Sequence, residues 1–166
     1  MKVYGKVMDL IADAIKWVVT AILVFMVAVT FIEVIRRYAF GLSFSWADEC
    51  IRFLIMWVTF LGGAAAFHKK KLVCFDLVTS SLDKKKQIIL ELFVYVVLLV
   101  VIAALIYYTG KAATAPSVTK AIGTGFKVSM IWAYLPMPVG FTIMELFCIN
   151  WIMNLIVALK KGESDK

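Results

Sequence analysis

The chain has 166 residues, of which 63% are hydrophobic, and a formal net charge of +7; its mean hydropathy is +0.93. An ordinary globular domain is about 45–50% apolar, so a water-soluble core is excluded and the bilayer is the solvent for most of these residues. Nucleic-acid binding is excluded as well, because no basic patch with interleaved aromatics lies away from the ends of the apolar stretches.

The first sixteen residues place Lys2, Lys6, Asp9, Asp13 and Lys16 at alternating steps of four and three. On a helix those steps make one polar stripe, opposite Val3, Val7, Leu10, Ile11 and Ala14, so an amphipathic lead-in to the first span is expected. It would lie on the inner leaflet or pack on a partner. The first apolar stretch runs over about Ala14 to Ile35. It exceeds the roughly 7–15 apolar residues of a signal peptide and is expected to stay in the mature chain.

Three more stretches follow, at about Trp46 to Phe67, Ile88 to Thr109 and Pro136 to Leu159. Each is long enough for the roughly 20 residues that a hydrocarbon core requires. The expected fold is therefore an all-α integral membrane protein: one domain of four transmembrane helices (14–35, 46–67, 88–109, 136–159) and a short charged tail at 160–166.

The junction of spans one and two is dense in charge. Ser45 followed by Asp48 reads as a capping box, and Asp48 and Glu49 suit the positive end of the second helix. Arg52 stands four residues past Asp48 and three past Glu49, a spacing for local ion pairs. Beyond span two, Leu72, Val73, Phe75, Leu77, Val78 and Leu82 lie between Lys69–Lys71 and Lys84–Lys86. A short interfacial segment flanked by snorkelling lysines is expected there. The loop from Gly110 to Val128 is rich in small residues and holds Lys111, Lys120 and Lys127 but no acid. Gly123 and Gly125 suggest flexibility there, and Pro116 interrupts any helix. Pro136 and Pro138 suit the first turn of span four, with Ile131, Trp132 and Tyr134 as interfacial anchors just before it.

Orientation follows from the lysines and arginines. Lys2, Lys6, Lys16, Lys69 to Lys71, Lys84 to Lys86, Lys160, Lys161 and Lys166 share one side, twelve of the 18 such residues. Both termini are therefore expected in the cytoplasm, with the excess charge facing anionic lipids. Cys50, Cys74 and Cys148 have no paired spacing and read as free thiols.

Intramembrane acids often mark an ion path. Glu33 stands four residues before Arg37, a helical pair, and Glu91 lies near the water at the start of span three. Only Glu145 is deep, and it reads either as a relay or as a polar contact to a neighbouring helix. His68 is the only histidine, so paired haem ligation is excluded; an interfacial side chain is the simpler reading. No base stands ready to activate a nucleophile, so no enzyme, cofactor or metal site is expected in this chain.

Arg37-Tyr38-x-Phe40, Trp46-x-Asp48-Glu49-x-x-Arg52-Phe53, Trp57, Phe60-Leu61-Gly62-x-Ala64, Asp76 and Pro138-Val139-Gly140 resemble the small membrane subunit of tripartite ATP-independent periplasmic (TRAP) transporters. One departure is Leu72, where the family pattern suggests a polar residue. The resemblance implies a multi-pass protein of the bacterial inner membrane. Its partners would be a large multi-span membrane subunit that carries substrate and sodium, and a periplasmic substrate-binding protein. It implies import of an organic acid, of the C4-dicarboxylate or sialic acid class. Arg37, Trp46, Asp48, Glu49, Arg52 and Trp57 are then the candidate subunit interface, and Lys111, Lys120 and Lys127 the candidate docking charges. The competing reading is a self-sufficient proton-coupled exporter that acts as a homodimer through Glu33 or Glu145.

Overall fold

The computed structural model describes residues 2–42, 44–69, 84–123, 125 and 128–164. The interfacial segment expected between Leu72 and Leu82, together with Cys74, Asp76 and Lys127, lies outside these residues. Among the described residues the chain forms six helices: α1 Lys2–Phe40, α2 Ser45–His68, α3 Lys84–Ala113, α4 Pro116–Thr119, α5 Ile131–Tyr134 and α6 Pro136–Ser164. Four stretches are long and apolar enough to cross a membrane: Gly5–Phe40, Trp46–His68, Lys86–Ala113 and Ile131–Val157. The only extended pairing among the described residues is one isolated bridge, Ile122 to Ser129.

The lead-in and the first span are one helix. The polar stripe interrupts the hydropathy of the first sixteen residues, but they include no proline and only one glycine, Gly5, so the backbone bonding runs on. At 39 residues α1 is roughly 58 Å long, about twice the hydrocarbon thickness. Met8, Ala12 and Ile15 form its buried face, whereas Val7 (45% exposed) and Leu10 (71%) point outward. The expected amphipathic arrangement is thus turned: the aspartates border the bundle and the apolar side faces out.

Gly41 ends α1 with φ +66°, the left-handed conformation that glycine adopts without a Cβ penalty and that commonly closes a helix. Pro116 does not merely interrupt the loop after α3; it opens α4, the short turn in which its missing N–H is harmless.

The helices stand in a row rather than a closed ring. α1 packs on α2, α2 on α6, and α6 on α3. At the end that carries both termini the row closes around a common core of Met8, Ala12, Phe67, Tyr95, Phe147 and Cys148. The Cys148 thiol there donates to the Tyr95 carbonyl at 3.2 Å. The α2–α6 crossing is tight because of Gly140, where a Cβ would stand 2.7 Å from Phe60 Cβ and 3.0 Å from its carbonyl oxygen. Gly63 similarly admits the Met144 side chain from α6, as the small-residue run of span two suggests.

Candidate functional site

Two polar constellations stand at opposite ends of the row. At the corner end, Phe44 is the N-cap residue of α2 and the helix begins at Ser45 with no side-chain cap hydrogen bond. The N-cap position expected at Ser45 thus falls one residue earlier, on Phe44. An acid from the other helix helps instead: the Phe44 N–H donates to Glu33 Oε1 at 2.9 Å. Glu33 accordingly does not serve Arg37, and among the described residues its Oε2 is buried without a hydrogen-bond partner. Arg36, the neighbouring base, lies over the Phe44 ring at 3.5 Å from the centroid. The same ring meets Trp46 at 5.3 Å. Glu33 and Arg36 stand three apart on one face of α1 and hold Phe44 from two directions, which sets how α2 enters the bundle.

Further along α2, the Gly125 N–H donates to Glu49 Oε2 at 2.7 Å. Trp57 Nε1 donates to the Trp132 carbonyl at 3.2 Å. The outer loop also closes on itself, with Gly123 N–H to Val128 O and Met130 N–H to Ala121 O, both at 3.0 Å. The loop expected to be flexible is thus pinned at two heights of α2. Lys111 and Lys120 are exposed on its approach.

The candidate interface residues separate into two groups. Trp46, Glu49 and Trp57 are half-buried, whereas Arg37, Asp48 and Arg52 are exposed. Arg36 and Phe44 complete the corner without having been singled out from the sequence, and Glu33, expected to pair with Arg37, serves Phe44 instead. An aromatic just before Trp46 and the Glu33–Arg36 spacing are the signals that point to them. Glu145 is half-buried on α6. Among the described residues no group of three or more His, Cys, Asp or Glu side chains is arranged to hold a metal.

At the terminus-bearing end, His68 is covered by its neighbours: only 10% of its side chain is exposed, and Nε2 lies 2.8 Å from Asp9 Oδ1. Its ring packs on Phe147 at 4.4 Å. Lys69 Nζ stands 3.7 Å from Asp13. Beside these pairs is a pocket of about 700 Å³, lined by Gly5, Asp9, Ala12, Asp13, His68, Lys69, Asn150, Trp151 and Asn154.

A row of four apolar helices that leaves most of its surface unburied, with polar contacts concentrated at its ends, defines a multi-pass membrane component rather than a soluble binding module. Residues 26–158 match the family described as tripartite ATP-independent periplasmic transporters, DctQ component. The chain belongs to this family of transporter subunits. It is also 31% identical over 81 residues to a Haemophilus influenzae protein named "Putative TRAP transporter small permease protein". That match spans about half of each chain, 49% of this one and 50% of the relative.

Proposed function

We propose that the chain is the small permease subunit of a sodium-coupled TRAP transporter in the bacterial inner membrane, with both termini in the cytoplasm. It braces the large membrane subunit and helps to dock a periplasmic binding protein that delivers an organic acid of the C4-dicarboxylate or sialic acid class. Substrate and sodium sites belong to the large subunit.

The single observation that carries this reading is how little of the apolar surface the chain covers for itself. Within the most apolar window of each span, only 6% of α1, 17% of α2, 11% of α3 and 22% of the fourth span is buried. A self-sufficient conduit encloses polar groups between its helices. This row instead presents broad faces to its surroundings, including an apolar groove on α1 lined by Leu23, Met26, Val27, Thr30, Phe31 and Val34. Small-residue crossings at Gly63 and Gly140 stiffen the row, so that a mobile part of the partner has something fixed to move against.

Arg37, Asp48 and Arg52 are exposed where a partner subunit would cover them, and charges at a membrane edge favour such pairing. Replacing Arg37 and Arg52 by alanine should lower recovery of the large subunit in co-purification by about ten-fold, the effect of losing one charge-assisted contact. Unchanged co-purification and unchanged uptake in this double variant would contradict the interface assignment. Lys111, Lys120 and Lys127 supply the docking charge. Neutralising all three should slow uptake at low ionic strength and leave it unaltered at high salt, where such attraction is screened in any case.

A further inference from the structure

The pocket at the terminus-bearing end offers hydrogen-bonding capacity that the fold does not use. Asp9 and Asp13 stand one turn apart on α1, Asn150 and Asn154 one turn apart on α6, and all four line it together with His68 and Lys69 from the end of α2. The His68 side chain is nine-tenths buried, and its Nδ1 is buried without a hydrogen-bond partner among the described residues. Asn150 is only 7% exposed. Buried polar side chains are nearly always satisfied, so the unpaired His68 Nδ1 beside this polar lining points to a ligand for the pocket.

The chemistry of the lining selects that ligand. Asp9 Oδ1 serves His68 and Asp13 Oδ1 serves Lys69, which leaves each carboxylate a second oxygen. The two asparagine carbonyls add further acceptors. A ligand that matches this surplus brings several N–H donors on a positive charge. The donors on the opposite account are Lys69 and the asparagine NH₂ groups, which call for an anion a short distance away.

Location narrows the choice again. From Ser45 to His68 α2 has 24 residues, a rise of roughly 36 Å against a hydrocarbon core of about 30 Å. The pocket therefore lies where hydrocarbon gives way to headgroups. Its volume of about 700 Å³ is within the usual range of roughly 300–1,000 Å³ for small-molecule sites.

We propose that this pocket binds the headgroup of an ethanolamine phospholipid, the ammonium toward Asp9 and Asp13 and the phosphate toward Lys69 and the asparagine amides. A choline headgroup has no N–H donor to give, and a glycerol headgroup has no positive charge. The inference requires only that the chain sits in a bilayer and is independent of whether it braces a partner.

Native mass spectrometry of the full-length chain with equal amounts of phosphatidylethanolamine, phosphatidylglycerol and phosphatidylcholine of the same acyl chains tests it. One retained phosphatidylethanolamine is expected, preferred about ten-fold, as losing one hydrogen bond to a charged group would imply. The Asp13→Asn, Asn154→Ala double variant changes two exposed side chains outside the core; it should keep its lipid-free melting temperature and lose the preference. Glycerophosphoethanolamine, which has no acyl chains, should compete only at much higher concentration. Equal retention of the three lipids, or a preference that survives in the double variant, overturns the site. Chain-free headgroup binding as tight as the lipid overturns the lipid as its source.

Discussion

Gly140→Ala should destabilise the isolated chain by about 1–3 kcal/mol, the usual cost of forcing an extra methyl into a packed interface, and Gly140→Leu should prevent recovery of folded protein altogether. The added Cβ meets Phe60 at its Cβ (2.7 Å), carbonyl oxygen (3.0 Å) and carbonyl carbon (3.1 Å). Two of these are backbone atoms, so relief requires α2 to move as a unit, not one side chain to turn. Since α2–α6 is the central contact of the row, that movement separates α1 from α3. Gly110→Ala is the control: nothing lies within 4 Å of its added Cβ, and inside α3 the change should be neutral or stabilising by up to about 1 kcal/mol. Thermal denaturation in detergent, followed by circular dichroism, distinguishes the two variants. Equal melting temperatures for Gly140→Ala and the parent would show that the crossing is looser than described.

Glu49→Ala should release the outer loop. Its carboxylate accepts the Gly125 N–H at 2.7 Å, and leaving a part-buried donor unpaired costs about 1–3 kcal/mol. At about 1.4 kcal/mol per decade, local opening then becomes roughly ten-fold more populated, and cleavage that depends on opening rises with it. Lys120 and Lys127 give trypsin two sites in or beside this loop. Limited digestion with fragments identified by mass should show those cuts accelerated in Glu49→Ala. Glu33→Ala instead unpins Phe44 at the other side of the corner and should leave these cuts at the parental rate. Equal acceleration in both variants would mean that the corner opens as one unit, and no acceleration in Glu49→Ala would remove this residue's role in holding the loop.

Hydropathy made the four spans legible because a hydrocarbon core sets one length for all of them. The expected stretches at 14–35, 46–67 and 88–109 lie inside helices that extend beyond them, and the fourth begins a few residues earlier, at Ile131. The extra length of α1 was hidden because charge lowers hydropathy without breaking a helix. Local pairing rules failed at the corner for a different reason. The spacing of Glu33 and Arg37 allows a contact along one helix, but the Phe44 N–H, beyond the end of that helix, takes the Glu33 carboxylate.

Contacts between distant segments were not legible at all. Asp9 and His68 are 59 residues apart, and Glu49 and Gly125 are 76 apart. Their meeting depends on which helices are neighbours, and nearly featureless apolar faces do not encode that. His68 was visible as the last residue of a span beside lysines, but its cover was not: Asp9 of α1 pairs with it there. Gly140 was visible as part of a family-like Pro-Val-Gly sequence, yet its reason, the Phe60 backbone against it, belongs to the packed molecule.

The account's central claim is that this chain braces a partner and conducts nothing itself. Substrate uptake into proteoliposomes, driven by a sodium gradient in the presence of the binding protein, tests it most directly with three preparations: both membrane subunits, the large one alone, and this chain alone. The account predicts uptake with both, a severe loss without this chain, and none with this chain alone. Gradient-driven flux through this chain alone, or full uptake in its absence, would contradict it.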